Sequence, residues 1–537
     1  MPLKRFSYPL WIAFLVVMAA LHAWHLRADF PNFSPWEDWS KYTDEGWYGN
    51  AAIRAHLFGN WYIPGDFNPA AALPVWPFLL WIIFFATGVT IQAARGLAVA
   101  IFFVNLFLSY KLFRDRGPRW AGLLAVTFLV TSPFLYCFSR LALLEPLLLC
   151  LTLSAMNLSV RLSRFRHPEA IGALIGLLFT AMMLTKTTAL FLLPALAWTI
   201  AQPFWREKER MFRLLAAAGG SAAISFCIWM YLVVSNGLFA DYKYLFFINS
   251  YKRPHDFYGH VMSAWWAFHG ALWADIILIP LSGALVVIAI THTIAHRREP
   301  RQIRSERWTA GFWSDPLCTG SVLAAFGYIG FMAYQNHPQP RYFVVVAFFC
   351  FIIVARVIAQ LSYAHRSLNP LSARNLGLAA LTVALATAAF NTLWTIRYAI
   401  HPQYTWIAAA QNLTNYIDEH PNGNRILLSI SGDEITLITH LPSLCDDFST
   451  IDLPAKIARY QPGWYATWDD LDPDTLEDLH VHDSLEQAGS FPAFDDPDRN
   501  MLYLLKMHPL PNGGARDPDK QNLKVQLPDD KFTIDVD

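Results

Sequence analysis

The chain has 537 residues, of which 55% are hydrophobic and 15% charged, against the quarter usual in soluble domains, so an ordinary soluble globular protein is excluded. Its zero net charge conceals a division. From Tyr404 onward there are 24 acidic and 9 basic residues, leaving 17 acidic and 32 basic before it, which marks a basic membrane body and an acidic soluble tail. Five of the six cysteines lie in apolar segments and Cys445 stands alone in the tail, so neither a disulfide framework nor a C-x-x-C zinc site is expected.

Lys4-Arg5 followed by the apolar Tyr8–His25 lacks a small-x-small cleavage site and reads as an uncleaved first span. Further runs long enough to cross about 30 Å of hydrocarbon fall near 96–113, 120–138, 143–160, 170–185, 188–203, 214–235, 270–295, 317–334, 341–360 and 376–396. Basic clusters at Lys4-Arg5, Arg114–Arg119, Arg161–Arg166, Arg206–Arg213, Arg297–Arg307 and Arg366–Arg374 belong on the cytoplasmic side. They alternate consistently with about eleven helices if Pro74–Ala93, short and holding Pro74, Pro77 and Gly88, is re-entrant or surface-lying. That topology puts residues 27–95, 236–268, the Gln335–Tyr342 loop and the tail outside. The expected fold is therefore mainly α, a polytopic transmembrane bundle over 1–400 with juxtamembrane helices in its first outer loop. A small α/β domain spans 401–510, with a helix over Tyr404–Glu419 and strands at Arg425–Ile430 and Met501–Lys506. A flexible, Pro-, Asp- and Lys-rich tail covers 511–537. No transporter-type repeat is visible.

The first outer loop holds the chemistry. Trp47, Ala51, Ile53, Leu57, Phe58 and Trp61 recur near helical spacing, and Gly59-Asn60 is a stop signal. This reads as an amphipathic helix on the membrane surface, with Asp44 and Glu45 at its start. A carboxylate there suits transfer from a polyprenyl-phosphate sugar: the phosphate leaves without a strong acid, and the acceptor hydroxyl needs a base. One-step attack from the opposite face would invert the anomeric carbon, by analogy with inverting hydrolases. The bland alternative is that Thr43 or Asp44 only caps a helix.

An Asp-Glu at this place, followed by Tyr48, Ala51 and Arg54, resembles the GT-C class of membrane glycosyltransferases. Within that class it is similar to the protein O-mannosyltransferases and lipid A aminoarabinose transferases. Ala94-Arg95, Ser139–Pro146, Met183–Thr187 and Gln339–Tyr342 follow in the family's order across roughly residues 1–360. The resemblance implies Asp44 as catalytic base with Glu45 beside it. One departure argues against aminoarabinose and lipid A: where those enzymes place basic side chains, this chain has Trp47 and the neutral run Asn68–Pro74.

Other cations must then meet the donor phosphate. Candidates are Arg54, Arg140, Lys186, Lys252, Arg253 and Arg341, since Arg forks onto two oxygens while Lys acts as a point charge. Tyr48, Glu145, His255, Tyr258 and Tyr342 are candidate substrate contacts. Arg140 and Glu145 read equally as a structural ion pair, and Lys186, deep in an apolar stretch, as functional or snorkelling. Arg341 with Tyr342 reads as a phosphate contact or an interfacial anchor; Tyr258 and Trp265 read as sugar-stacking or, better, as belt aromatics. No cofactor or metal is required, although Glu37, Asp38, Asp44 and Glu45 offer oxygen ligands to a divalent cation. The Asp-rich runs of the tail lack a calcium-loop pattern.

The expected partners are a polyprenyl-phosphate sugar donor, the lipid bilayer and a glycan, lipid or protein acceptor, with no nucleic acid. The expected place is a bacterial inner membrane, with the N-terminus cytoplasmic and the active site and tail periplasmic. A secondary transporter, a lipid translocator and a non-catalytic scaffold are the rival readings.

Overall fold

The computed structural model describes residues 7–36, 38–114, 117–248, 254–300, 302–303, 307–335, 338–362, 370–468, 471, 473–493 and 501–510. The expected tail at 511–537 lies outside them. Two compact units emerge: residues 1–40, 94–231 and 251–403 form one, and residues 41–93, 232–250 and 404–537 the other.

The first unit is a bundle of apolar helices. Among the described residues seven helices are long and apolar enough to cross a membrane; Ile91–Arg114, Lys208–Ser235, Leu278–Ala295 and Pro316–Gln335 are examples. Shorter apolar helices run over Ser7–Ala23, Glu145–Ser159 and Pro168–Met183. The protein is a multi-pass membrane protein, and the expected apolar runs coincide with helices. Two of them depart in shape. The 120–138 run bends by 68° between the Arg119–Thr131 and Pro133–Ser139 helices, because Pro133 has no N–H to continue the ladder; Ser132 instead receives the Leu135 N–H at 3.2 Å. The 270–295 run is split, so the 236–268 loop is no plain connection: Phe257–Ala274 and Leu278–Ala295 are separate helices. Asp275 causes the break, since its carboxylate accepts from the Ile277 and Leu278 N–H groups at 2.9 and 2.6 Å and starts a new helix there.

The bundle's centre is the Phe343–Ser362 helix, buried along nearly its whole length, whereas Lys208–Ser235 turns Ile224, Ile228 and Tyr231 outward. Small residues allow the close packing that membrane helices rely on: a Cβ at Gly176 would lie 2.1 Å from the Ala218 carbonyl oxygen.

The second unit carries the soluble fold. Strands β1 (Leu427–Leu428), β2 (Ser443–Leu444), β3 (Trp464–Thr467), β4 (Asp483–Pro492) and β5 (Met501–Pro509) form one sheet in the order β2-β1-β3-β5-β4. β1 is parallel to β2 and β3, while β5 runs antiparallel to β3 and β4. Helices Thr405–Glu419, Gly432–Thr439 and Leu453–Tyr460 accompany it, and Leu428, Leu444, Ile457, Tyr465, Leu479 and Met507 form a core. In the same unit, the first-loop pattern becomes two helices, Asp44–Trp47 and Asn50–Phe58. Gly59, at φ +79°, ends the second. Asn50, Ala51, Ala52, Ile53 and Arg54 are buried in protein, whereas Phe58 at the end of the same helix is 41% exposed, so the first half of this helix packs inside the unit and its apolar end is open. Val75–Thr87 spans 13 residues, about 20 Å at 1.5 Å per residue, too short for a full crossing.

Candidate active site

Asp44 and Glu45 open the Asp44–Trp47 helix and are 1% and 0% exposed. Thr43, the residue before it, makes no capping bond; its hydroxyl instead donates to Asp44 Oδ1 at 3.3 Å. The turn is held by its neighbour in the same unit, the start of the Gly432–Thr439 helix. A Cβ at Gly46 would lie 2.1 Å from the Glu434 nitrogen and 2.3 Å from the Asp433 carbonyl carbon, so only glycine permits this approach. Trp47 Nε1 donates to the Ile430 carbonyl at 2.8 Å and Asn50 to Asp433 Oδ2 at 2.9 Å. Tyr42 packs on the rings of Trp406 and Trp468, and Trp406 Nε1 donates to Glu434 at 3.0 Å.

Arg54 lies one turn further along. Its guanidinium, 2% exposed, donates to Asp66 at 2.6 Å, to Asp433 at 3.0 Å, to the Phe67 carbonyl at 3.2 Å and to Asn68 at 3.3 Å. Lys456 reaches the other oxygen of Asp66 at 3.0 Å and also donates to the Cys445 carbonyl. Asp66 thus joins two cations and also receives the Cys445 N–H at 3.1 Å. Burial lifts the Asp433 carboxyl above the usual carboxylate range, and the Arg54 charge opposes that shift. Asp446, one residue beyond Cys445, is pushed up to about 7 by burial and by the adjacent Asp447, while the Tyr465 hydroxyl donates to it at 2.9 Å.

In the membrane unit a second set of buried charges converges on Tyr342. Lys186 donates to Glu145 with its ammonium 4.2 Å from the centroid of the Tyr342 ring. Arg341 lies 5.0 Å from the same centroid and donates to Asp38 through its guanidinium and through its main-chain N–H at 2.8 Å. Asp38 is fixed by the Ser40 N–H at 2.9 Å. Lys186, Glu145, Arg341, Tyr342 and Asp38 are all buried. Glu145 therefore partners Lys186, and Arg140 turns instead to the Tyr136 hydroxyl at 2.7 Å and to the Trp24 and His25 carbonyls at 2.7 and 2.6 Å. The alternative of an Arg140–Glu145 ion pair is replaced by this arrangement. Tyr48 is half-buried at the end of the Asp44–Trp47 helix. His255 and Tyr258 are exposed around the start of the Phe257–Ala274 helix. Lys252 and Arg253 lie outside the described residues. Among the described residues no three His, Cys, Asp or Glu side chains converge as a metal site.

Residues 69–231 match the family described as dolichyl-phosphate-mannose-protein mannosyltransferase. Among solved structures, ArnT from Cupriavidus metallidurans bound to undecaprenyl phosphate superposes with a TM-score of 0.56 at 13% identity, over 94% of this chain and 99% of that one. Its apo state gives 0.55 at 12% identity, over 95% and 100%. The apo oligosaccharyltransferase of Archaeoglobus fulgidus gives 0.50 at 12% identity, over 93% and 76%. The fold is that of the GT-C glycosyltransferases. No curated protein sequence matches the chain.

Within this GT-C fold, the sequence singles out Lys186 together with its partner Glu145, but it does not pair Arg341 or Arg54 with the carboxylates that hold them. Asp38 enters only as one of the acids able to ligate a divalent cation, and Asp66, Asp433 and Lys456 carry no signal. The one available hint was chemical: a charge in a hydrophobic or tightly folded stretch requires a counter-charge, and Asp66 and Asp433 are two of the acids that meet that need.

Proposed function

We propose that this chain is a glycosyltransferase that moves a sugar from a polyprenyl-phosphate donor to a hydroxyl of a glycan, lipid or protein, with inversion at the anomeric carbon. The observation that carries the reading is the buried Asp44-Glu45 turn, clamped at Gly46, in a chain of GT-C fold. The family match over 69–231 and the undecaprenyl phosphate bound by the Cupriavidus protein support a lipid-phosphate donor. Asp44 takes the acceptor proton as the hydroxyl attacks, and Glu45 shapes its surroundings. The sugar–phosphate bond breaks with its electrons leaving on phosphate, a good leaving group that needs no strong acid. Lys186 and Arg341 meet the phosphate charge, with Tyr342 beneath them. Arg140 is a further phosphate candidate, and Tyr48, His255, Tyr258, Lys252 and Arg253 remain donor or acceptor contacts in this reading. Arg54, held by two carboxylates, is assigned to the scaffold. The enzyme sits in a bacterial inner membrane with Asp44 and the 401–510 domain on the periplasmic side.

The test is transfer by purified protein from a panel of polyprenyl-phosphate sugars, alongside Asp44→Asn. That variant keeps size and removes the base; activity is expected to fall about 10²–10⁴-fold, the range for a general base, with the melting temperature unchanged. Wild-type activity in a folded Asp44→Asn protein would remove Asp44 from the mechanism. Failure of every donor with wild type would favour the transporter or scaffold reading.

A further inference from the structure

We infer that Asp38 and Glu145 are positioning residues that decide which ionisation state of phosphate the site prefers, holding a phosphodiester donor while releasing the phosphate monoester left after transfer. This deepens the reading above and rests on Arg341 and Lys186 holding the donor phosphate. Around Tyr342 stand two cations, and each already has a carboxylate partner: Asp38 for Arg341 and Glu145 for Lys186. Among the described residues these two cations are matched by these two carboxylates, so the pairs offer directed donors whose positive charge is already opposed.

The consequence follows from the chemistry of the step. The donor is a phosphodiester with one negative charge. When the sugar's anomeric bond to phosphate oxygen breaks and the bond to the acceptor oxygen forms, the acceptor proton passes to the base and the phosphate keeps the bonding electrons. The product is a lipid phosphate monoester, whose second ionisation lies near pH 6, so at pH 7 it carries between one and two negative charges. Two uncompensated cations would bind this more highly charged product more tightly than the substrate and stall turnover. Two carboxylates within hydrogen-bond reach of those cations oppose the extra charge, because like charges crowded into one site disfavour ionisation. The geometry keeps the carboxylates in place. Asp38 is pinned by two main-chain N–H groups as well as by Arg341, and Glu145 sits at the first position of its helix. The Tyr342 ring steadies both cations through cation–π contact without adding charge.

The experiment compares binding of a polyprenyl phosphate monoester and of a non-transferable polyprenyl phosphodiester at pH 8. It uses wild type, Asp38→Asn, Glu145→Gln and Arg341→Gln in detergent or nanodiscs, with donor KM, kcat and monoester Ki measured in parallel. Wild type is expected to hold the monoester no more tightly than the diester. Asp38→Asn and Glu145→Gln keep size and an acceptor oxygen; each should lower the monoester Ki tenfold or more, move donor KM far less, and lower kcat as release becomes limiting. A purely structural role would not change the ratio of Ki to KM. An unchanged ratio in either folded variant, or a wild type that binds the dianion tenfold tighter than the diester, overturns the inference; the second outcome needs no variant to fold. Arg341→Gln separates this from the underlying reading: if it leaves donor KM unchanged, the phosphate is held elsewhere and the functional assignment of Arg341 fails, whatever the ratio shows.

Discussion

Each of the two units holds a buried Lys and a buried Arg that share one neighbour, and that neighbour differs. In the membrane unit it is the ring of Tyr342, with Lys186 on Glu145 and Arg341 on Asp38. In the other unit it is a carboxylate, Asp66, bonded to Arg54 at one oxygen and Lys456 at the other. A shared ring contributes a weak, undirected attraction and leaves each cation with its own counter-charge. A shared carboxylate makes the charges interdependent, so that removing one strands the rest in a buried site. Identical residue types thus stand as two separate ion pairs in one place and as one linked network in the other.

The comparison breaks most sharply at Asp66. Asp66→Asn should leave Arg54 and Lys456 buried without their common partner and destabilise the second unit by about 3–5 kcal/mol. Poor expression or a large drop in melting temperature is expected; a melting curve like wild type would show the network to be dispensable. Gly46→Ala comes next. The added methyl meets backbone that cannot yield easily, and overpacking of this kind costs about 1–3 kcal/mol. Transfer should fall further than stability does, because the displaced segment carries Asp44, and equal kcat in Gly46→Ala would mean that the clamp is unnecessary.

Asp446→Asn gives a smaller effect with a defined pH dependence. Burial raises the folded Asp446 carboxyl to about 7, above its unfolded value of about 3.9. The folded state therefore holds the proton more tightly, and this group favours folding below about pH 4, an advantage lost as pH rises through 7. The Asn variant should gain about 1–2 kcal/mol at pH 8, after discounting for partial exposure, and show a flatter stability profile between pH 4 and 7. A steeper profile would refute it. Least of all should come from Arg425→Ala, which removes an exposed pair with Asp418 at 2.6 Å; a loss of about 0.2–1 kcal/mol is expected from double-mutant cycles in urea.

The bundle was legible because lipid demands long apolar runs and basic loops declare themselves. Its breaks were not: a run such as 270–295 reads as one span until Asp275 turns inward to cap a helix, a choice made by neighbours such as Asn391, which donates to Asp275 at 2.8 Å. The Asp44-Glu45 turn could be picked out as a carboxylate pair at a helix start. Its clamp could not, since Gly46 and Glu434 are 388 positions apart in sequence and glycine shows the need for space without naming what fills it. Ile53 and Arg54 show the same limit. Helical spacing located their helix correctly, but amphipathicity cannot distinguish a lipid surface from a protein one.

The sheet order carries a consequence for production. β5, the last of the described strands, lies between β3 and β4, so this sheet cannot close until residues 501–509 have left the ribosome. A chain cut near Pro492 would leave β3, on the edge that β5 otherwise covers, with an open row of amide and carbonyl groups ready to pair with another copy. Expression tags placed beyond residue 510 avoid that edge, whereas shortening the chain into β5 should turn a membrane preparation into aggregate.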